Sequence, residues 1–240
     1  MSDTAYAILK SVTLKRGAFS VFNDLSLDLR ERRVALIGLN GSGKSSFLRL
    51  LNGLLVPDEG NVEVLGLDTR KAARQLPRHV GMVFQNPDHQ MIFPTVREEI
   101  AFAPRQFGAS KADAEAAALA CLAEHGCADW ADRPVALLSE GQKQLVCLLA
   151  TTISEPRLLL CDEPFAGLDL ALRLHFGAFL ARARASVLLV SHDLEMIETF
   201  DRVIWFDGGK VRGNGTPADV LPAYRDFARA RAGSLTAPAL

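Results

Sequence analysis

The chain has 240 residues, 49% of them hydrophobic and 23% charged, ordinary proportions for a globular protein that exclude a disordered, collagen-like or disulfide-scaffold class. Its 27 Lys and Arg against 28 Asp and Glu give a formal net charge of −1, so no global field draws it to nucleic acid or anionic lipid. Cys121, Cys127, Cys147 and Cys161 form no CxxC pair and no metal-ligand spacing, and their apolar or Ala-rich surroundings predict reduced, buried thiols in the cytosol.

Met1-Ser2-Asp3-Thr4 has no basic region leading into an apolar run, so it does not read as a secretory signal. Alternating apolar and polar residues over Ala7 to Leu14 and Leu25 to Leu29 predict half-buried antiparallel strands. Val34 to Ile37 is a short, continuously apolar run, as expected for a central strand covered on both faces, and Val80 to Phe84 predicts a further strand ending at Gln85. From about Pro94 to Ser154 the pattern is consecutive helices. Thr95-Val96-Arg97-Glu98 opens one that should end before Pro104, and Ser110-Lys111-Ala112-Asp113 opens an Ala-rich one that Gly126 closes. Leu138-Ser139-Glu140-Gly141-Gln142 starts an apolar helix through Ile153. Leu158 to Cys161 and Val187 to Val190 are again buried strands, and the residues after about Tyr224, rich in Ala and Arg, read as a helix with a frayed tail.

Strands alternating with helices predict an α/β fold with a mainly parallel sheet, here preceded by an antiparallel β subdomain and interrupted by a helical one. The expected organisation is a single domain over 1–240. Its catalytic core covers 1–88 and 155–224, its helical subdomain 89–154 and its short tail 225–240.

Gly38-Leu39-Asn40-Gly41-Ser42-Gly43-Lys44-Ser45 matches G-x-x-x-x-G-K-[ST] between a buried strand and a helix, the context a P-loop requires. Gly38, Gly41 and Gly43 let the backbone turn so that successive N–H groups point at phosphate oxygens, and the helix N-terminus adds partial positive charge. Asn40, Ser42 and Ser46 belong to the same loop and first turn. Lys44 is placed to reach the β and γ phosphates, and Ser45 to bind Mg²⁺. At the end of another buried strand, Asp162 is suited to hold Mg²⁺ through water, and Glu163 to orient and deprotonate an attacking water. Hydrolysis of a nucleoside triphosphate is the reaction such a pair serves.

Taken alone, Ser139-x-x-Gln142 is only a capping box. Its place about twenty residues before Asp162-Glu163 is where an ATP-binding-cassette ATPase carries its signature, and the resemblance to that family covers nearly the whole chain. Gln85 resembles the Q-loop glutamine, Ala166-Gly167-Leu168-Asp169 the D-loop, and Ser191-His192-Asp193 the switch histidine. The resemblance implies a P-loop NTPase core and a head-to-tail homodimer or heterodimer of cassette ATPases with two sandwiched ATP molecules. Ser139, Gly141 and Gln142 would act in trans, Asp169 on the opposing subunit, Gln85 on Mg²⁺ and the attacking water, and His192 on the γ-phosphate. In three places the chain departs from the family pattern. Glu140 stands for the usual Gly, Leu145 stands where a basic residue is common, and Arg16 stands near the usual adenine-stacking aromatic, leaving the Arg16 guanidinium or Phe19 to cover the base.

Gln85-Asn86-Pro87-Asp88-His89-Gln90, followed by Thr95-Val96-Arg97-Glu98-Glu99-Ile100-Ala101-Phe102, resembles the Q-loop region of energy-coupling-factor importers. That resemblance implies a peripheral protein on the cytoplasmic face of the membrane. Its partners would be a transmembrane coupling subunit and, through it, a substrate-specific membrane subunit. Met91, Ile92 and Phe93 then read either as local core or as an apolar groove for the coupling helices. The compact end after Asn214-Gly215-Thr216-Pro217 is most similar to the ATPase subunit of biotin transporters. Cobalt, nickel or another vitamin is the alternative cargo, and a soluble cassette ATPase without transport the alternative class.

Overall fold

A computed structural model describes residues 4–17, 19–165 and 168–234. In chain order the strands are β1 (Ala7–Arg16), β2 (Phe19–Leu29), β3 (Arg33–Ile37), β4 (Glu59–Val64), β5 (Leu67–Asp68), β6 (Val80–Val83), β7 (Leu158–Asp162), β8 (Ser186–Val190), β9 (Arg202–Asp207) and β10 (Lys210–Gly215). The helices are α1 (Lys44–Leu51), α2 (Val96–Gln106), α3 (Lys111–Glu124), α4 (Glu140–Thr152), α5 (Leu170–Arg182), α6 (Leu194–Ile197) and α7 (Pro217–Ser234).

The alternating N-terminal runs pair as an antiparallel hairpin closed by Arg16 opposite Phe19, and β4 and β5 extend it to a sheet of order β2-β1-β4-β5. The continuously apolar runs form a second sheet of order β10-β9-β3-β8-β7-β6, in which every neighbouring pair is parallel except β10 with β9. Period-two alternation divides its side chains between two cores. Val34, Leu36, Leu158, Leu160, Leu188 and Val190 face α1 and the antiparallel sheet. Ala35, Ile37, Leu159, Cys161, Val187 and Leu189 face the opposite core, which contains residues of α4, α5 and α7.

Helices α2, α3 and α4 lie between β6 and β7, the helical insert that the sequence predicts. Thr95 and Ser110 cap α2 and α3, and at α4 both halves of the capping box form. Gln142 N–H donates to Ser139 Oγ at 3.3 Å, and Ser139 N–H to Gln142 Oε1 at 3.0 Å. Leu145, where the family favours a basic residue, is buried in the core beneath α4, which explains an apolar side chain there.

Two expectations need correction. Helix α2 does not stop before Pro104 but runs through it to Gln106. A proline so near the end forfeits one i→i−4 bond, and Phe107 N–H still bonds Ala103 O at 3.1 Å. The last helix begins at Pro217, before the Ala/Arg-rich stretch, because Thr216 and Asp219 cap it and Val220, Leu221 and Tyr224 form a buried stripe. Residues 235–240 lie outside the described residues.

The four cysteines are free thiols, and Cys127, Cys147 and Cys161 are buried as expected, whereas Cys121 is only half-buried. Burial pushes the Cys121 thiol up to about 11 and the Cys147 thiol up to about 12. Among the described residues no helix is long and apolar enough to cross a membrane.

Candidate active site

In a parallel sheet ligands bind outside the carboxyl ends of the strands. Here the adjacent strands β3, β8, β7 and β6 end at one edge, with Leu36 and Asp162 both opposite Val190, and Val83 opposite Cys161. The loops that follow carry, in spatial order, the glycine-rich turn, Ser191-His192-Asp193, Glu163, and Phe84-Gln85.

The glycine-rich turn takes the backbone that its sequence predicts, with φ of 146° at Gly38, 79° at Gly41 and 107° at Gly43. Close approach is a second reason for glycine. A Cβ at Gly38 would lie 2.2 Å from the Phe206 carbonyl oxygen, and one at Gly43 2.8 Å from the Phe22 ring. Phe22, Phe47 and Phe206 pack together beneath the turn. Lys44 is only 5% exposed, and its Nζ donates to Gly38 O at 2.7 Å and Leu39 O at 3.0 Å. Burial lowers its pKa, while Glu163 and Asp162 act in the opposite sense. Ser42 Oγ is buried without a hydrogen-bond partner. Asn40 and Gly41 face solvent, and Ser45 and Ser46 are half-buried in the first turn of α1.

Ser45 Oγ donates to Asp162 Oδ1 at 3.1 Å, which brings together two residues 117 positions apart in the chain. Burial pushes the Asp162 pKa up, with Glu163 adding to it, while the Ser45 hydrogen bond, Arg49 and Lys44 pull it down. Next to it, Glu163 has φ 48°, a left-handed conformation that costs a non-glycine residue about 1–3 kcal/mol and clusters at functional sites. That turn lets Glu163 N–H donate to Val190 O at 3.0 Å and sets its carboxylate 3.1 Å from His192 Nε2. The histidine loop is pinned in turn, since Asp193 N–H donates to Ser191 Oγ at 3.0 Å and the Asp193 carboxylate pairs with Arg173 of α5.

The signature residues are not brought to this edge. Among the described residues no hydrogen bond joins residues 139–142 to residues 38–46. Gly141 instead packs on α5, where a Cβ would lie 2.5 Å from Leu172 Cδ1 and 3.3 Å from Leu168 Cδ2. Asp169 caps α5, accepting from Leu172 N–H at 2.9 Å, and Glu140 is exposed in the first turn of α4. Ala166 and Gly167 of the D-loop lie outside the described residues. Arg16 and Phe19 face each other at the hairpin tip, both exposed, Phe19 by 81%.

Gln85 is exposed just beyond β6, whereas Phe84 before it is held on both polar groups: its N–H donates to Gln90 Oε1 at 3.2 Å and its C=O accepts from Gln144 Nε2 at 3.0 Å. A groove of about 1030 Å³ opens beside it, lined in part by Met82, Phe84, Gln90, Ile92, Phe102 and Thr151. The two readings of residues 91–93 apply to different residues. Ile92 is 66% exposed at the groove, Met91 packs on the core, and Phe93 stacks on Phe102 at 5.1 Å. Sequence reasoning assigned nothing to Gln90, Gln144 or Glu99, whose buried carboxylate accepts from Ile92 and Phe93 N–H at 2.9 and 2.8 Å. The signal for Glu99 and Gln144 is a polar residue on an otherwise buried helix face.

The family described as "ABC transporter" matches residues 22–166, from β2 past the Asp162-Glu163 pair. The chain is 48% identical to the biotin transport ATP-binding protein BioM of Rhodobacter capsulatus over 213 residues, 89% of this chain and 91% of that protein. It is 37% identical to BioM of Rhizobium etli over 219 residues (91% and 97%), and 38% identical to the nickel import ATP-binding protein NikO of R. capsulatus over 224 residues (87% of each). Its fold matches cbiO1 from Clostridium perfringens, part of the ABC transporter complex cbiONQ, with a TM-score of 0.80 at 22% identity over 95% of this chain and 94% of that one. A family match over more than half its length, with relatives aligned almost end to end, places the chain in the ABC transporter family as an ATP-binding ATPase subunit.

Proposed function

We propose that the chain is the ATP-hydrolysing subunit of an energy-coupling-factor importer, seated on the cytoplasmic face of the membrane, and that the imported solute is a vitamin, biotin before nickel or cobalt. The observation that carries this reading is the groove beside Phe84 with Ile92 exposed on its wall, in a chain nearly half identical to a biotin transport ATP-binding protein. Its occupant would be the coupling helices of a transmembrane subunit, which in turn carries a substrate-specific membrane subunit.

The donor set suits Mg²⁺. Ser45 and Asp162 offer two hard oxygen ligands from converging elements, and a cation that keeps several waters takes its remaining ligands from phosphate. When bound, Mg²⁺ neutralises phosphate charge and aligns the phosphate oxygens. The turn from Gly38 to Ser46 cradles the phosphates, and Lys44 exchanges its two carbonyl partners for phosphate oxygens. Glu163 accepts the proton of the attacking water, His192 holds the Glu163 carboxylate and reaches the γ-phosphate, and Gln85 approaches the metal and the water from the next strand. Ser139, Gly141 and Gln142 present the N-terminus of α4 to a nucleotide held by a second cassette chain, with Asp169 beside that interface. The separation of the two half-sites within one chain supports this dimer, as a homodimer or heterodimer. Closure around ATP and release after hydrolysis drive the membrane subunits.

Ile92→Asp places a charge on the groove wall without touching the phosphate loop, so the chain should no longer co-purify with its membrane subunits while its affinity for ATP is unchanged. Retention in the membrane complex would reject the groove as the docking site. For the base, Phe22 and Val21 of β2 lie against Gly43, and at about 3.3 Å per residue Phe19 stands roughly 10 Å further along the strand, the reach of a nucleotide from phosphate to base. Phe19→Ala should raise the KM for ATP about tenfold through lost stacking, and Arg16→Ala by less. Equal KM values in wild type and Phe19→Ala would assign the base to Arg16.

A further inference from the structure

β6 is the edge strand of its sheet, and its ladder with β7 ends at Val83 opposite Cys161, one residue before Phe84. Beyond that point no strand directs the chain. Two glutamine side chains do so, Gln90 on the Phe84 N–H and Gln144 on the Phe84 carbonyl. Gln144 is 2% exposed, and its Oε1 has no hydrogen-bond partner, so the donation to Phe84 is the one hydrogen bond its amide makes among the described residues. Gln90 Nε2 continues to Thr151 Oγ1 at 3.0 Å and Cys147 O at 3.3 Å. Residues 144, 147 and 151 fall on one face of α4, so a single rigid helix grips the Phe84 peptide directly through Gln144 and indirectly through Gln90. Lys143 of the same helix pairs with Asp88 at 2.6 Å. The far end of α4 is the capped signature turn, and Gln90, Phe84 and Thr151 also line the groove.

We infer that Gln90 and Gln144 are positioning residues for ATP hydrolysis: they clamp the Phe84 peptide and thereby fix where Gln85 leaves β6, locking that direction to the signature helix and to the groove wall. The inference rests on the proposed role of Gln85 at the metal and the attacking water. A shift of α4 or of residues 90–92 then moves Gln85 and Ser139 as one body, so occupancy of the groove sets both the cis and the trans components of the site.

The test uses the full-length chain assembled with its membrane subunits, with steady-state ATP hydrolysis as the readout. Gln144→Met and Gln90→Met keep side-chain volume and remove the amides. Each should lower kcat about tenfold, the effect of losing the hydrogen bond that holds Phe84 and through it orients Gln85, with the KM for ATP changed less than about twofold. Gln90→Glu keeps an acceptor for Phe84 N–H while losing the donor to Thr151 and Cys147, so its kcat should fall less than that of Gln90→Met; an equal fall would mean that the bond to Phe84 is not what positions the chain. The deciding measurement is the double variant. If the glutamines act through Gln85, Gln85→Ala combined with Gln144→Met or with Gln90→Met is no slower than Gln85→Ala alone. A further tenfold loss in those pairs, or wild-type kcat in both single Met variants, overturns the clamp. The partly exposed Gln90 decides the matter if the buried Gln144 variant does not fold. A Gln85→Ala chain with wild-type kcat instead overturns the role of Gln85 itself, and the clamp falls with it.

Discussion

Glu163→Gln should lower ATP turnover on the order of 10²–10⁴-fold, the range for removing a general base, while ATP remains bound and the two-chain assembly stays closed. The substitution keeps the length of the side chain and an oxygen that accepts from His192, but its amide cannot take a proton from water. The lost charge acts on Lys44 and Asp162 through its field, but no other contact that shapes the site is made by the carboxylate. The Ser45–Asp162 contact, the turn geometry at Gly38 and Gly43, and the left-handed backbone held by the bond from Glu163 N–H to Val190 O do not use the carboxylate. With binding intact and release blocked, ATP alone should accumulate the dimer in size-exclusion chromatography, with steady-state phosphate release measured in parallel. Undiminished hydrolysis would reject Glu163 as the base, and hydrolysis lost together with ATP binding would mean that the carboxylate holds the nucleotide.

Lys44→Ala should weaken ATP binding by at least about a hundredfold, because removing one partner of a buried charge contact costs roughly 3–5 kcal/mol. The ammonium is nearly enclosed, and its two carbonyl partners, Gly38 O and Leu39 O, would be left facing the phosphates with no cation between them. Burial alone lowers the lysine pKa, so an anion arriving at the turn favours the charged form and is bound by it. A thermal melt makes the effect visible: ATP at a hundred times the wild-type Kd stabilises the wild type by about 2.7 kcal/mol and should stabilise Lys44→Ala by no more than about 0.4 kcal/mol. An unchanged ATP-induced shift would show that the backbone N–H groups suffice.

The features legible in the residue string are those whose physics is local. A glycine needed for φ above zero, a hydroxyl that caps the next turn, and a continuous apolar run buried on both faces each act within a few residues. The glycine-rich turn, the capping box at Ser139 and the central strands could therefore be read directly. The limits of α2 and α7 are local as well, but there two local signals compete. Pro104 sits in the last turn of α2, where it forfeits a bond without ending the helix, and the buried stripe of Val220, Leu221 and Tyr224 starts α7 ahead of the Ala/Arg-rich stretch.

The sequence by itself determined that this is a P-loop ATPase with an antiparallel and a parallel sheet, a helical insert, and a capped helix start at Ser139. Tertiary structure alone decided the pairings made across the sheet: Ser45 with Asp162, His192 with Glu163, and the Phe84 peptide with Gln90 and Gln144. It also decided that of residues 91–93 Ile92 is the exposed member, and that Gly141 is small because α5 lies against it. The reason is physical. Propensity and capping are set by neighbours along the chain, whereas these contacts depend on strand order and register, and a one-residue slip would turn every side chain of a strand to the other face.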